Sequence, residues 1–536
     1  MAWVVVMAVL IQRTYVRAAT NLATDLARYG SAASWNGVYY RGEKIGFTVN
    51  QTVPKGDGFE IEEDGRLQMA LLGATTPATI RTRAEVDAAF ALKAFDFSLD
   101  PGTGAVGVRG TVDGNRITLT ISTPSGERTE TRTLPEPPAL SLNLSRRLAN
   151  GGLKPGAHYT WTVFDPATLR NAPVSVDVGK REIVVAASKP VPAFKVQMQF
   201  SGLTTTSWMT DTGEVVREES PLGLITVRET AQTAQTMGIS GRVRDDLLRA
   251  AAIEPTALRA QNARIPEPRD VRRIQLRLDG ADLSTLRPAG AQDDAMEGAG
   301  QTVDGNVVTI QDPQTLQAGP ADPSAARYLD PEALIESDDP DIHAEAMTAI
   351  GNATSPRDKA ERITRHVNAI LDKKPTVSLP SAREVLRTKI GDCNEHTALF
   401  VAMARSVGVP ARIAVGLVFI HGAFYYHAWP EVYLDETPGG RGPRSNERRG
   451  LWLPVDPTLN EFPADATHVR LARGGLDKQV VILPLIGKLK IAILDLDLAP
   501  NSTRILVGRQ PTDLGPLSVP IPKRTAGGCW SAACCR

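Results

Sequence analysis

Gly391-Asp392-Cys393-Asn394-Glu395-His396-Thr397-Ala398-Leu399-Phe400-Val401-Ala402-Met403-Ala404-Arg405 is the stretch whose reading decides the fold of the C-terminal half. Gly391 breaks the segment before it, Asp392 is a residue type that caps helices, and the apolar run after Cys393 demands burial before it ends at Gly408 and Pro410. The spacing predicts a buried helix that opens with Cys393. Unpaired backbone N–H groups and the positive end of the helix dipole favour a thiolate there, and the same groups could hold an oxyanion.

A thiolate nucleophile needs a proton acceptor. His427 begins the alternating run His427-Ala428-Trp429-Pro430-Glu431-Val432-Tyr433-Leu434, which reads as a strand with His427, Trp429, Glu431 and Tyr433 on one side. His427 is the candidate base. Asp456 closes a second short strand, Leu451-Trp452-Leu453-Pro454-Val455-Asp456-Pro457, from which it could hold the imidazole in one tautomer. Trp429 is a candidate wall of the substrate pocket, with ordinary core packing as its alternative. His396 follows Cys393 by one helical turn and could face the site, whereas His421 reads as a turn residue at the surface. A zinc site is not expected, because no second cysteine or paired-ligand spacing accompanies Cys393, and no Asp-rich calcium loop is present. No cofactor is expected.

Gly391-Asp392-Cys393 at a helix start, Gly408-Val409-Pro410-Ala411-Arg412 after it, His427-Ala428-Trp429 on a strand and Pro454-Val455-Asp456-Pro457-Thr458 beyond together resemble the bacterial transglutaminase-like superfamily over residues 325 to 475. The resemblance implies a papain-like α+β arrangement and a Cys393, His427, Asp456 triad. It also implies acyl-enzyme chemistry, through a thioester, on peptide or amide groups, ending in hydrolysis or amine transfer. The alternative from another class is a non-catalytic module that binds a peptide or a cell-envelope protein.

From Trp35 to about Glu219 short alternating runs are separated by turn signals such as Asp64-Gly65, Asp113-Gly114 and Ser125-Gly126, the pattern of antiparallel sheet. Arg116 to Ile121 and Lys195 to Phe200 show the period of two most clearly. The expected organisation is multidomain: a signal or anchor-like segment and helix at 1–30, an antiparallel β domain at 31–235, a linker region with a short helix and a β-like stretch at 236–324, the α+β domain at 325–475, and C-terminal strands with a tail at 476–536. Within the linker, Asp245 to Ala251 reads as helical, Arg273 to Leu278 as β-like and Gly290 to Gly300 as an exposed loop. Two helices are expected between Tyr328 and Asp372, carrying Ile342, Ala346 and Ile350, then Ile363, Val367 and Leu371. Gln479 to Leu485 and Leu489 to Leu496 read as strands.

Sixty Lys plus Arg balance sixty Asp plus Glu, so no global field steers the chain to nucleic acid. Three of the four cysteines, Cys529, Cys534 and Cys535, crowd the tail, which leaves Cys393 alone in the body and excludes a disulfide framework. The apolar run Ala2 to Ile11 is too short to cross a bilayer and looks like part of an export signal or anchor, with a buried N-terminal helix as the alternative. The expectation is an exported or membrane-tethered periplasmic protein acting on a peptide or protein, with a possible cell-envelope partner for the β region and a cytoplasmic placement left open.

Overall fold

The computed structural model describes residue 29 and residues 33–500, apart from 72–73, 101–104, 168, 201–202, 221–222, 237–251, 258–264, 287–294, 375–379, 436–448, 476–481 and 483–484. The signal-like segment, the patch from Asp245 to Ala251 and the three tail cysteines lie outside the described residues. Among the described residues, no helix is long and apolar enough to cross a membrane.

Fourteen antiparallel strands, from β1 (Ser34–Tyr40) to β14 (Leu224–Glu229), form one sheet. Consecutive strands pair from β1 through β8 (Gly126–Thr133), and again from β9 (His158–Asp165) through β14. β1 then joins the two runs by pairing with β14, with Trp35 opposite Glu229. In β7 (Arg116–Thr123) the alternation buries Ile117, Leu119 and Ile121. The opposite face pairs Thr118 with Thr131 and Thr120 with Thr129 across the ladder, both at 3.2 Å. One segment departs from the all-strand reading: Ser141–Asn150 is a helix, α1. Its leucines recur every four residues, so Leu140 joins the core around Phe95 and Phe164, while Leu144 and Leu148 join the core around Val176 and Val196. A short helix α2 (Ala231–Gln235) seats Ala234 against Trp35 and Phe47.

Beyond α2, beside a smaller cluster of Ala325, Tyr433 and Trp452, most of the described buried apolar residues share one hydrophobic core that runs from Ile253 to Ile493. Its first sheet contains β15 (Thr256–Ala257), β16 (Val271–Asp279), β17 (Gln301–Asp304), β18 (Val307–Gln311) and β26 (Lys490–Leu498), in the order β15-β26-β16-β18-β17. Residues 236–324, expected as a linker region, therefore hold most of a sheet. Val271, Ile274, Leu276 and Leu278 alternate into the core and need partners on both sides. β26 supplies one of them, with Ile274 opposite Leu496 and Leu278 opposite Ile491. At the described end of the expected exposed loop Met296 is fully buried, while Glu297 and Gly298 are exposed. Ile482 and Leu485, expected within a strand, have 3₁₀ backbone instead. Pro484 between them lacks the N–H a central strand would need.

The second sheet contains β19 (Gly319–Pro320), β22 (Ala411–Ile420), β23 (Ala423–Asp435), β24 (Arg449–Pro454) and β25 (Val469–Gly474), in the order β19-β24-β23-β22-β25. Packed with it are α3 (Pro340–Ile350), α4 (Pro356–Ile370), α5 (Ala382–Thr388) and α6 (Cys393–Ser406). All four helices start on a side-chain cap, from Asp339, Ser355, Ser381 and Asp392 respectively. β20 (Asp372–Lys373) pairs in parallel with β21 (Ile390–Gly391), which fixes the approach to α6. The turn between β7 and β8 touches this body directly: Ser125 Oγ donates to Glu384 at 2.9 Å, Arg383 donates to the Ser125 carbonyl at 2.6 Å, and Arg128 pairs with Asp338 at 3.0 Å.

Candidate active site

Cys393 is the first residue of α6, and the turn that presents it is a capping box. Asp392 accepts the Asn394 N–H at 3.0 Å, and Glu395 reaches back to accept the Asp392 N–H at 2.8 Å. This explains Gly391, since a Cβ there would lie 2.2 Å from Cβ of Glu395. It also corrects the expected electrostatics, because carboxylates occupy the helix start that was to favour a thiolate. Burial, the Asp392 charge and, more weakly, the charges of Glu395 and Asp456 push the thiol well above its ordinary range. The opposing influence is a hydrogen bond from the Ala428 backbone to the sulfur. Ala428 also accepts from Thr397 Oγ1 at 3.1 Å, so the residue after His427 grips the first turns of α6.

His427 lies on β23 and is buried. Its Nε2 donates to Asp456 Oδ2 at 2.8 Å, which leaves Nδ1 as the nitrogen for other chemistry. Asp456 is held in a turn just after β24, where Oδ1 accepts the N–H groups of Thr458 at 2.7 Å and Leu459 at 3.0 Å. Burial opposes the charge of Asp456, but the His427 charge and hydrogen bonds from His427 and His468 outweigh it and hold the carboxyl far below its ordinary range. Trp429, 1% exposed, stacks on His427 with centroids 6.1 Å apart and therefore backs the imidazole from the interior.

His396 is tied back to the start of its own helix. Its Nδ1 donates to the Asp392 carbonyl at 2.7 Å, and burial lowers its pKa, so it is a neutral ring tied to its own helix. His421 is exposed in the β22–β23 turn, where it and Gly422 both have positive φ, at 49° and 93°.

The residue that sequence reasoning missed is His468. Its Nε2 donates to the same Asp456 oxygen at 3.1 Å, and its Nδ1 faces Asp465 Oδ1 at 3.3 Å. Gly416, beside His427 in β22, permits this approach: a Cβ there would lie 2.0 Å from the Val469 carbonyl. The sequence offers the run Asp465-Ala466-Thr467-His468 ahead of a strand, and only the structure shows that all four residues are buried. Donor atoms of His427, Asp456 and His468, and separately of Glu461, Asp465 and His468, lie close enough to share an ion. The 2.8 Å His427–Asp456 distance is that of a charge-assisted hydrogen bond, and the 3.1 Å His468–Asp456 distance is that of an ordinary one.

A second buried assembly braces β22, β23 and β25. Glu431 accepts from Arg412 at 2.8 Å and from Arg470, and Arg412 lies 3.8 Å over the Trp452 ring. Burial opposes the Glu431 charge, but Arg470 and Arg412 hold its pKa at about 2.

Residues 344–457 match the model of the transglutaminase-like superfamily, so this segment, which includes Cys393, His427 and Asp456, is a transglutaminase-like domain. No curated protein matches the chain. A β-barrel-like protein of unknown function from Brucella abortus is 15% identical, with 37% of this chain and 94% of that one covered and a TM-score of 0.30. A protein provisionally described as a cysteine protease, from Cytophaga hutchinsonii, is 17% identical over 42% of this chain and 90% of its own, with a TM-score of 0.27. A provisional protease from Parabacteroides distasonis is 11% identical over 70% of this chain and 69% of its own, with a TM-score of 0.19.

Proposed function

We propose that the domain is a cysteine-dependent acyl transferase or amidohydrolase in which Cys393 is the nucleophile, His427 the base and Asp456 its orienting partner. The observation that carries this reading is the 2.8 Å bond from His427 Nε2 to Asp456, which fixes the tautomer while the Ala428 backbone holds the sulfur beside the same strand. In the proposed reaction His427 Nδ1 takes the thiol proton as sulfur attacks an amide carbonyl. The tetrahedral intermediate collapses by breaking the C–N bond, and the Nδ1 proton leaves with the amine. The remaining thioester is cleaved by water or a second amine. The substrate class is peptide or protein amides, and the chain is read as exported or membrane-tethered, with the fourteen-stranded sheet as the surface for a cell-envelope partner.

The raised thiol favours a second reading, a non-catalytic peptide pocket, since a binder has no need for an ionised sulfur. One experiment separates them: the alkylation rate of Cys393 against pH, with Cys529, Cys534 and Cys535 as internal references and a His427→Ala variant alongside. A catalyst shows Cys393 reacting at pH values where its raised thiol alone would stay protonated, and losing that reactivity in the variant. A binder shows Cys393 inert or titrating with the tail.

A further inference from the structure

We propose that His468 is a positioning residue of this site: a buried imidazolium that neutralises Asp465, shares the Asp456 carboxylate with His427, and thereby sets a fixed positive charge across Asp456 from the His427 ring. The proposal rests on the triad reading and adds a component to it.

The protonation of His468 follows from what surrounds it. Nε2 meets Asp456 Oδ2 at 3.1 Å, and that oxygen belongs to a carboxylate with only acceptors to offer. Nδ1 meets the Asp465 carbonyl at 3.2 Å and Asp465 Oδ1 at 3.3 Å, again acceptors alone. A ring with oxygen acceptors at both nitrogens satisfies both only when both carry hydrogen, and that form has a positive charge. Burial opposes the charge, yet the bonds to Asp456 and Asp465 prevail.

The charge has a defined audience. Asp465 Oδ1 is anchored by the Thr467 N–H at 2.8 Å, and the Asp465 N–H donates to Glu461 at 3.0 Å. Glu461, raised to about 6 first of all by burial, has Arg269 at 3.4 Å. Glu431 and Arg470 face the same small buried cavity and pair with each other, and Arg412 shares the Glu431 carboxylate. The edge of Trp429 closes the remaining side, with centroids 5.1 Å apart. On the far side of Asp456 the His427 ring lies 6.0 Å from the His468 ring. A cation at that distance in a protein interior resists protonation of its neighbour by about one to two pH units. The His468 charge therefore opposes the pull of Asp456 on the ring that is to take the Cys393 proton.

The sign of the effect separates this role from simple bracing. His468→Gln keeps a donor for Asp456 but removes the charge, so the pH at which His427 titrates, followed by NMR of ¹⁵N-labelled imidazoles in the full chain, is expected to rise by about one unit. A residue that merely braced Asp456 would, on removal, loosen the Asp456–His427 bond and lower that pH. An unchanged or lowered His427 titration in a variant that melts like the wild type overturns the proposal. If His468→Gln does not fold, the wild type decides: ¹⁵N shifts showing both His468 nitrogens protonated at pH 8 support it, and a singly protonated ring overturns it. Asp456→Asn is the control for the underlying triad, since a His427 titration that ignores this change sinks the triad itself.

Discussion

Strands in the fourteen-stranded sheet meet neighbours one hairpin away, apart from the closure of β1 on β14, whereas in the C-terminal body Arg273 of β16 reaches Asp495 of β26 across 222 residues. Both regions bury some charge, but among the described residues the deepest ion-pair cluster belongs to the body. The sheet carries pairs such as Arg109–Glu127, more than half exposed on both sides, while the body encloses Glu431 between two arginines that are 3% exposed or less. Local pairing lets each strand be stabilised by its own hairpin. Long-range closure brings polar groups into a dry interior, where each must find a partner fixed from a distant part of the chain.

The comparison can be broken most sharply at the site. His427→Ala should lower amide turnover roughly 10²- to 10⁴-fold and Cys393→Ala should abolish it, whereas Glu127→Ala on the sheet should leave it unchanged, all measured on the full chain. A comparable loss from the sheet variant would mean that the sheet takes part in the chemistry. Next in size is Glu431→Ala. Leaving Arg412 and Arg470 buried without their partner should cost about 3–5 kcal/mol, read as faster hydrogen exchange across 411–420 with 116–123 unaffected.

Acid should act on the two regions in opposite directions. Glu431 has a folded pKa of about 2 against an ordinary 4.5, so its contribution is complete above 4.5 and is lost as pH falls towards 2. Glu63, in the sheet, is pushed up to about 7 by burial and by the charges of Glu218 and Asp64. The folded sheet therefore binds a proton that the unfolded chain releases between about 4.5 and 7, and its stability should fall as pH rises through that window. Glu63→Gln should flatten that slope, raising the melting temperature at pH 8 and leaving it unchanged at pH 4. The smallest effect belongs to the exposed Arg109–Glu127 pair, whose removal should change stability by less than about 1 kcal/mol in urea titrations.

The same contrast explains how far the sequence could be read. The alternation of Arg116 to Ile121 and the capped helices at Pro340 and Pro356 are local patterns, and they appear where periodicity predicts them. So does the helix that opens at Cys393. The charge state of its thiol was not legible, because the capping carboxylates that supply the helix signal also oppose the thiolate. Helix α1 was hidden by the strands around it, although Leu140, Leu144 and Leu148 carried its period. The pairing of β16 with β26 and the approach of His468 to Asp456 depend on contacts that no short window contains.

The position of β26 has a consequence for synthesis. Chains emerge from the ribosome at about 5–20 residues per second, and domains fold largely as units. The sheet has its last strand in hand at Glu229, but the core behind Cys393 lacks Ile491 and Ile493 until the final described strand has been made. A chain interrupted between Asp456 and Lys490 would thus carry Cys393, His427 and Asp456 without the strand that completes the core behind them.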